Sequence, residues 1–410
     1  VPLDLPRGNA IIGQSGGPTA VINQSLVGAV EALRGCRFVK KIYGMRHGVN
    51  GLVRDEVVDL GRVPAATLAG IARTPSAALG SSRDKPDAEY CKQILAACRK
   101  YGVRYFFYIG GNDSSDTCRI VHELADATLG GPGAYELRCF HVPKTVDNDL
   151  MLSDHTPGFP SAARFLAMAF MSDSLDNASL PGVKINVVMG RNAGFLTGAA
   201  ALARGTGKNA DRNGPHLIYL PEVPFDPQRF VADVQRVYDR LGRCQVAVSE
   251  GIVDAQGRPI ATTLVEGLDK DAHGNVQLSG VGALGDALAE LVKKNVKTPS
   301  GKAPRTRADT FGYLQRCWPD PSPVDAKEAR AAARFAVRLA ARGARSGSVA
   351  ITRAPGKAYR ARFEAIELGE VAAKTRRMPP EFIDGHNNVT PKYLDYVRPL
   401  VGKLPEMTRL

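Results

Sequence analysis

The 410-residue sequence predicts an α/β protein of two Rossmann-like domains with mainly parallel sheets. Two observations carry that expectation. Short apolar runs alternate with amphipathic helical stretches through the opening half and again through the second, the pattern of parallel strands covered by helices. Several of those runs end in glycine or acidic clusters, and ligands of open α/β sheets bind beyond the carboxyl ends of the strands. A chain of this length also exceeds one small core, so two domains are the natural division.

In chain order, residues 9–12 read as a buried strand entering Gly13-Gln14-Ser15-Gly16-Gly17-Pro18-Thr19. Val21, Ile22, Leu26, Val30 and Leu33 then fall at helical spacing. A strand, a glycine turn and a helix aim backbone N–H groups at an anion, although such glycines also serve packing alone. Leu79-Gly80-Ser81-Ser82-Arg83 precedes a helix over about 88–101, and Arg83 is either a phosphate clamp or an ordinary solvated arginine. Residues 104–109 have the unbroken hydrophobicity of a central parallel strand. They end in Gly110-Gly111-Asn112-Asp113-Ser114, followed by a helix through Ile120, Val121 and Leu124.

Residues 139–142 predict another buried strand, running into Pro143-Lys144-Thr145-Val146-Asp147-Asn148-Asp149. Two carboxylates, a hydroxyl, an amide and an ammonium crowd into that turn. Unpaired buried carboxylates are costly. Taken alone, though, the run is equally an acidic surface turn, since Asp-Asn-Asp is good turn chemistry. Three strand ends of this kind, after Ile12, Ile109 and Val142, shift the balance toward a site.

The second half repeats the alternation. A helix near 161–173 precedes a strand over 184–189 ending in Gly190-Arg191-Asn192-Ala193-Gly194. A small-residue helix over 195–204, a strand over 216–220 closed by Pro221-Glu222, a helix over 227–241 and a strand over 244–248 follow. The pattern weakens over 255–279 into a loop or hairpin. It resumes with a helix over 282–295, a basic turn-rich stretch over 297–307 and a short strand over 309–316. A helix over 326–342 carries an apolar stripe of Ala329, Ala333, Ala336 and Ala340, and a strand spans 348–352. The tail beyond Lys374 is basic and interrupted by prolines.

With 44% hydrophobic and 23% charged residues, the composition is that of a soluble globular protein. The net charge of +13 is scattered, with pairs such as Arg376-Arg377, Lys293-Lys294 and Lys40-Lys41 rather than blocks. That argues against nucleic acid and toward phosphorylated metabolites. The 7 cysteines form no CxxC pair, so neither a zinc site nor a disulfide framework is expected. Reduced thiols fit a cytoplasmic enzyme. No signal-peptide pattern opens the sequence, and no apolar run approaches the ~20 residues of a membrane span.

Gly16-Gly17-Pro18, Gly80-Ser81-Ser82-Arg83, Gly110-Gly111-Asn112-Asp113-Ser114, the 143–149 run, Met189-Gly190-Arg191, Tyr219-Leu220-Pro221-Glu222 and Tyr313-Leu314-Gln315-Arg316 stand in one order. In that order they resemble the motifs of the phosphofructokinase family, over residues from about Asn9 to Arg316. The tail Lys374-Thr375-Arg376-Arg377-Met378-Pro379 looks like members that use pyrophosphate.

The resemblance implies the phosphofructokinase fold. A phosphoryl-donor domain would span 1–157 plus about 315–368, and a sugar-phosphate domain 158–314 plus about 369–410. It also implies a homo-oligomer, dimer or tetramer, and Mg²⁺-dependent transfer of a phosphoryl group to the 1-hydroxyl of fructose 6-phosphate.

By the same resemblance Asp147 is the base that takes the sugar hydroxyl proton, as general base catalysis requires of a carboxylate in reach. Thr145 orients the phosphoryl oxygens, and Lys144, Arg191 and the backbone of Gly16 and Gly17 neutralise the transferring group. Arg83 clamps the donor. Asp149 and Asp113 hold Mg²⁺, a cation that takes oxygen ligands, and Asn112 stands where an acidic residue is common. Arg307 and Tyr313 grip the 6-phosphate, Met189 and Glu222 contact the hydroxyl face of the sugar, and Gly190 and Arg316 are further substrate-binding residues. ATP-using members carry glycine where Asp113 and Lys144 stand. An aspartate there repels a nucleotide α-phosphate and a lysine binds pyrophosphate, so the donor implied is pyrophosphate. The alternatives are the same reaction with ATP and a non-catalytic regulatory subunit. His47, His155 and His386 are expected to make structural hydrogen bonds.

Overall fold

In the computed structural model, which describes residues 5–206, 210–264, 282–356 and 358–407, the apolar runs pair as parallel strands. The chain divides into two compact units, one of residues 1–161 and 316–376, the other of 162–315 and 377–410.

Among the described residues, the first unit holds a seven-stranded sheet. Its parallel centre runs Val39–Met45, Gly8–Gln14, Val103–Gly110, Arg138–Pro143, Ser346–Arg353, with Val57–Asp59 and Ala361–Ile366 antiparallel at the two edges. Successive side chains of a strand point to opposite faces, and here both faces are covered. Ile12, Tyr105, Phe107 and Phe140 pack under the helices Ile22–Arg34 and Pro323–Ala341. Ile11, Phe106, Tyr108 and Cys139 pack under Ala88–Lys100 and Asn112–Asp126. Two-sided burial is why the strands read as unbroken hydrophobic runs.

From Gly8–Gln14 the chain returns to pair on one side with Val39–Met45, and on the other side with Val103–Gly110. The carboxyl ends of Gly8–Gln14 and Val103–Gly110 are therefore a topological switch point, where such sheets bind ligands.

Among the described residues, the second unit holds a four-stranded parallel sheet in the order Leu217–Tyr219, Cys244–Ser249, Val183–Val188, Thr306–Thr310. Its core joins Ile185, Val187, Val246 and Val248 to Phe230, Val234, Leu288 and Val292. The helix Pro227–Leu241 is bounded by its own sequence. Asp226 accepts the N–H groups of Gln228 and Arg229, Pro227 opens the first turn, and Gly242 closes the last in the left-handed conformation.

Some expectations change. The stretch 309–316 is not one strand: the strand is Thr306–Thr310, and Gly312, at φ +52°, turns the chain into a 3₁₀ turn over Gly312–Arg316. The 195–204 helix is α-helical only over Phe195–Ala199 and tightens to 3₁₀ over Ala200–Arg204. Of the expected loop over 255–279, residues Ile260–Leu264 are helical, and 265–279 lie outside the described residues. The tail holds a short hairpin, Ile383–Asp384 with Asn388–Val389, and a helix, Pro391–Val401. Its prolines had masked that helix: Pro391 sits at the first turn, where no N–H is needed. No helix among the described residues is long and apolar enough to cross a membrane.

Candidate active site

Three turns meet at the switch point of the first sheet. Ile109 is in register with Gln14 and Gly110 with Pro143, so Ser15, Gly111 and Lys144 leave adjacent strand ends. Ser15 N–H donates to Ile109 O at 2.9 Å, Lys144 N–H to Gly110 O at 2.9 Å, and Ser114 Oγ to Ser15 Oγ at 2.9 Å. A Cβ on Gly110 would lie 1.9 Å from Ser114 Oγ, so only glycine lets the next helix start this close. Gly16 sits at φ +73°, and a Cβ there would come within 2.9 Å of Lys144 Nζ. The 79–83 segment is laced to it, with Gly16 N–H donating to Ser82 O at 2.7 Å and Ser81 Oγ to Gly16 O at 2.5 Å.

Lys144 is the centre of this arrangement. It is 4% exposed, and Nζ donates to Gly17 O at 2.9 Å. Burial, aided by the charges of Arg316 and Arg83 and opposed by Asp147 and Asp149, lowers its pKa to about 8. Those four groups thus lie within electrostatic reach of one ammonium. Arg316 also packs on Gly17, where a Cβ would lie 2.5 Å from its Nη1.

The turn itself is shaped by local bonds. Thr145 bridges Gly158, its N–H donates to Pro157 O at 3.2 Å, and its carbonyl accepts Thr156 Oγ1 at 2.8 Å. Asp147 N–H donates to Thr145 Oγ1 at 3.1 Å, and Asn148 takes the left-handed φ of +59° that Asn tolerates. Burial pushes the Asp149 carboxyl above its usual range, against a hydrogen bond from Thr145 and the charges of Lys144 and Arg376.

Arg376 closes the turn from outside. Its Nη2 donates to Asn148 O at 2.8 Å and Asp154 O at 3.0 Å, its Nη1 to Ser153 O, and its N–H to Asp149 O at 2.7 Å.

Asn112 and Asp113 open the neighbouring helix. Asp113 is exposed and pairs with Lys85 at 3.3 Å. Asn112 Oδ1 accepts Asp113 N–H at 2.9 Å, while its Nδ2 donates to Lys374 O at 3.2 Å, so its amide is engaged on both sides.

In the second unit, Met189-Gly190-Arg191 leaves the strand Val183–Val188. Met189 N–H donates to Gln315 Oε1 at 3.2 Å and Ser249 Oγ to Gly190 O at 2.7 Å. Gly190 is at φ +120°, where a Cβ would meet Ala193 O at 2.7 Å. Glu222 Oε1 accepts the N–H groups of Gly194 at 2.9 Å and Met378 at 3.0 Å. Its Oε2 is buried with no hydrogen-bond partner among the described residues, and burial raises its pKa. Arg307 and Tyr313 are exposed.

Two residues near these turns escaped the sequence reading. In the sequence, Arg376 reads only as part of a basic tail. Glu250, 5% exposed, leaves the strand Cys244–Ser249, and its N–H donates to Val188 O at 2.9 Å. The Ser249-Glu250-Gly251 run was the available signal: another acidic and glycine cluster at a strand end.

The phosphofructokinase family model matches residues 9–340. The chain is 53% identical to the pyrophosphate–fructose 6-phosphate 1-phosphotransferase of Rhodospirillum rubrum, over 98% of this chain and 97% of that protein. It is 37% identical to the enzyme of the same name from Xanthomonas campestris, over 98% of this chain and 93% of that one. Among solved structures it is similar to the pyrophosphate-dependent phosphofructokinase of Marinobacter aquaeolei, with TM-score 0.82 and 31% identity, over 98% of this chain and 94% of that chain.

Proposed function

The chain belongs to the phosphofructokinase family, and on that premise we propose that it transfers a phosphoryl group from pyrophosphate to the 1-hydroxyl of fructose 6-phosphate, yielding fructose 1,6-bisphosphate and phosphate. The observation that carries this reading is the buried Lys144 ammonium at the Gly16-Gly17 turn, with Asp147, Asp149, Arg83 and Arg316 acting on it. A desolvated cation with glycine backbone beside it is a receptor for a small polyanion.

In this reading the first unit takes the donor and the second the sugar phosphate. Asp147 accepts the hydroxyl proton as the oxygen attacks phosphorus, and phosphate leaves. Little else is required of the protein beyond in-line positioning and charge neutralisation. Lys144, Arg83 and Arg191 supply charge, and Thr145 and the Gly17 N–H supply directed donors, the Gly16 N–H being held by Ser82 O. Met189, Gly190, Glu222, Arg307 and Tyr313 take the sugar phosphate, with Glu250 joining them as a buried carboxylate at a strand end, while Arg316 stands with Lys144 at the Gly17 turn.

Asp149 fits a magnesium ion: it is a carboxylate short of water, and Mg²⁺ takes one or two carboxylates plus substrate phosphates. When bound, the ion would neutralise charge on the donor oxygens. Asp113 is the second candidate carboxylate. The reaction runs in both directions, since both sides carry similar phosphoryl potential. The protein works as a cytoplasmic homo-oligomer.

A purified-protein assay offering each donor separately tests the reading. Turnover with pyrophosphate and Mg²⁺, and little with ATP, is expected. Robust ATP turnover with none from pyrophosphate would sink it.

A further inference from the structure

The loop that follows the 143–149 turn is anchored by a group of charges around a buried histidine that phosphoryl transfer does not use. His155 is 1% exposed, and both its ring nitrogens meet carboxylates: Nδ1 with Asp154 Oδ2 at 2.9 Å and Nε2 with Glu328 Oε2 at 2.7 Å. Tyr359 Oη donates to Glu328 Oε1 at 2.7 Å and lies 3.3 Å from His155 Nε2. Arg353 reaches Asp154 through Nε at 3.3 Å and Nη2 at 3.1 Å, and stacks over the Tyr359 ring at 4.8 Å.

Three elements therefore face the imidazole. Its own loop brings Asp154, the helix Pro323–Ala341 brings Glu328 and, more remotely, Asp325, and the end of the last parallel strand brings Arg353 and, just beyond, Tyr359.

Charge balance decides the state of the ring. Asp154, Glu328 and the more remote Asp325 are carboxylates and Arg353 is one cation, so a cationic ring offsets the excess of negative charge. Two carboxylates on the two ring nitrogens require both nitrogens to be donors, which is the imidazolium form. Burial alone would lower the histidine pKa, but the hydrogen bonds and charges of Asp154 and Glu328 outweigh it and lift it to about 9.

The same loop reaches the catalytic turn within a few bonds. Arg376 holds Asp154 O and Asn148 O with one nitrogen, Thr156 Oγ1 donates to Thr145 O, and Asp154 N–H donates to Ile351 O at 2.7 Å. Asp325, on the helix of Glu328, accepts Gly158 N–H at 3.0 Å opposite Thr145.

We propose that His155 is a positioning residue, whose imidazolium ties Asp154 to Glu328 and thereby holds Thr145, Asp147 and Asp149 in register for phosphoryl transfer. The inference rests on the reading of that turn as catalytic.

Two measurements test it. In wild-type protein with ¹⁵N-labelled imidazoles, the signal missing from H155Q should show both nitrogens protonated at pH 7.5. A neutral ring at that pH overturns the proposal. In steady-state kinetics H155Q should lose at least tenfold in kcat, with KM for both substrates within threefold of wild type. H155Q/E328Q removes the anion that the first change leaves unpaired, and should melt near the wild-type temperature while kcat stays low. Recovery of kcat together with the melting temperature would mean a merely structural role. D147S, assayed alongside, separates the two readings. Full activity in D147S overturns the catalytic assignment, whereas an inactive D147S beside a folded H155Q of unchanged kcat overturns only the role of His155.

Discussion

At the scale of single residues, a lysine stripped of its water marks the 143–149 turn. Lowering Lys144 from 10.5 to about 8 corresponds to an ammonium disfavoured by on the order of 3 kcal/mol, the net of lost water, the repulsion of Arg316 and Arg83, and the attraction of Asp147 and Asp149. A polyanion arriving beside it restores that loss, so the side chain is preorganised for charge. Deprotonation works against binding: above pH 8 the free enzyme loses the cation, and kcat/KM for pyrophosphate should fall with a slope approaching one decade per pH unit. K144M should start lower and lack that limb; an identical limb in K144M would show that another group titrates. The proposed reaction makes Asp147 the base, so Asp147→Ser should lower kcat by about 10²–10⁴-fold. The KM for fructose 6-phosphate should stay within a few-fold, and steady-state kinetics separates the two quantities.

Elements are held in place here by close approach and by buried charge. Gly110→Ala puts a methyl 1.9 Å from Ser114 Oγ, against the Ser114–Ser15 hydrogen bond that joins two turns. Overpacking of this kind costs about 1–3 kcal/mol, so a lowered urea midpoint with an unchanged m-value is expected. The His155 tie has a pH signature of its own. Its folded pKa of about 9 lies above the ordinary 6.5, so its contribution is full below pH 6.5 and disappears as pH rises toward 9. The difference is on the order of 3 kcal/mol. Urea unfolding at pH 6 and pH 9.5 should show that loss in wild type and a much smaller one in H155Q.

Legibility in the sequence followed the same physics. Central strands such as Val103–Gly110 were readable because both faces are buried. The strand Val39–Met45 went unread because its lysines are exposed and its hydrophobicity is broken.

At the scale of the molecule, each unit places glycine and acidic turns at the carboxyl ends of a parallel sheet, and in the proposed function a pair of residues in the first, Asp113 and Lys144, selects the donor. D113G/K144G should lose pyrophosphate turnover before any ATP turnover appears, because removing a receptor for a small anion is easier than building one for a nucleotide. Retained pyrophosphate activity in the double variant, assayed with both donors, would remove Asp113 and Lys144 from the donor site. The wild-type chain is expected to sediment as a dimer or tetramer.

By itself the sequence determined the fold class and the strand-end clusters, because burial on both faces and the freedom of glycine are written in residue type and spacing. It also carried the resemblance that names the donor. Only the tertiary structure decided how those clusters are held. Arg376 reaches Asn148 across 228 residues, and Glu328 reaches His155 across 173. A half-buried arginine or a buried imidazolium takes its meaning from the partners that desolvation forces on it, and those partners are set by folding rather than by neighbourhood in the chain.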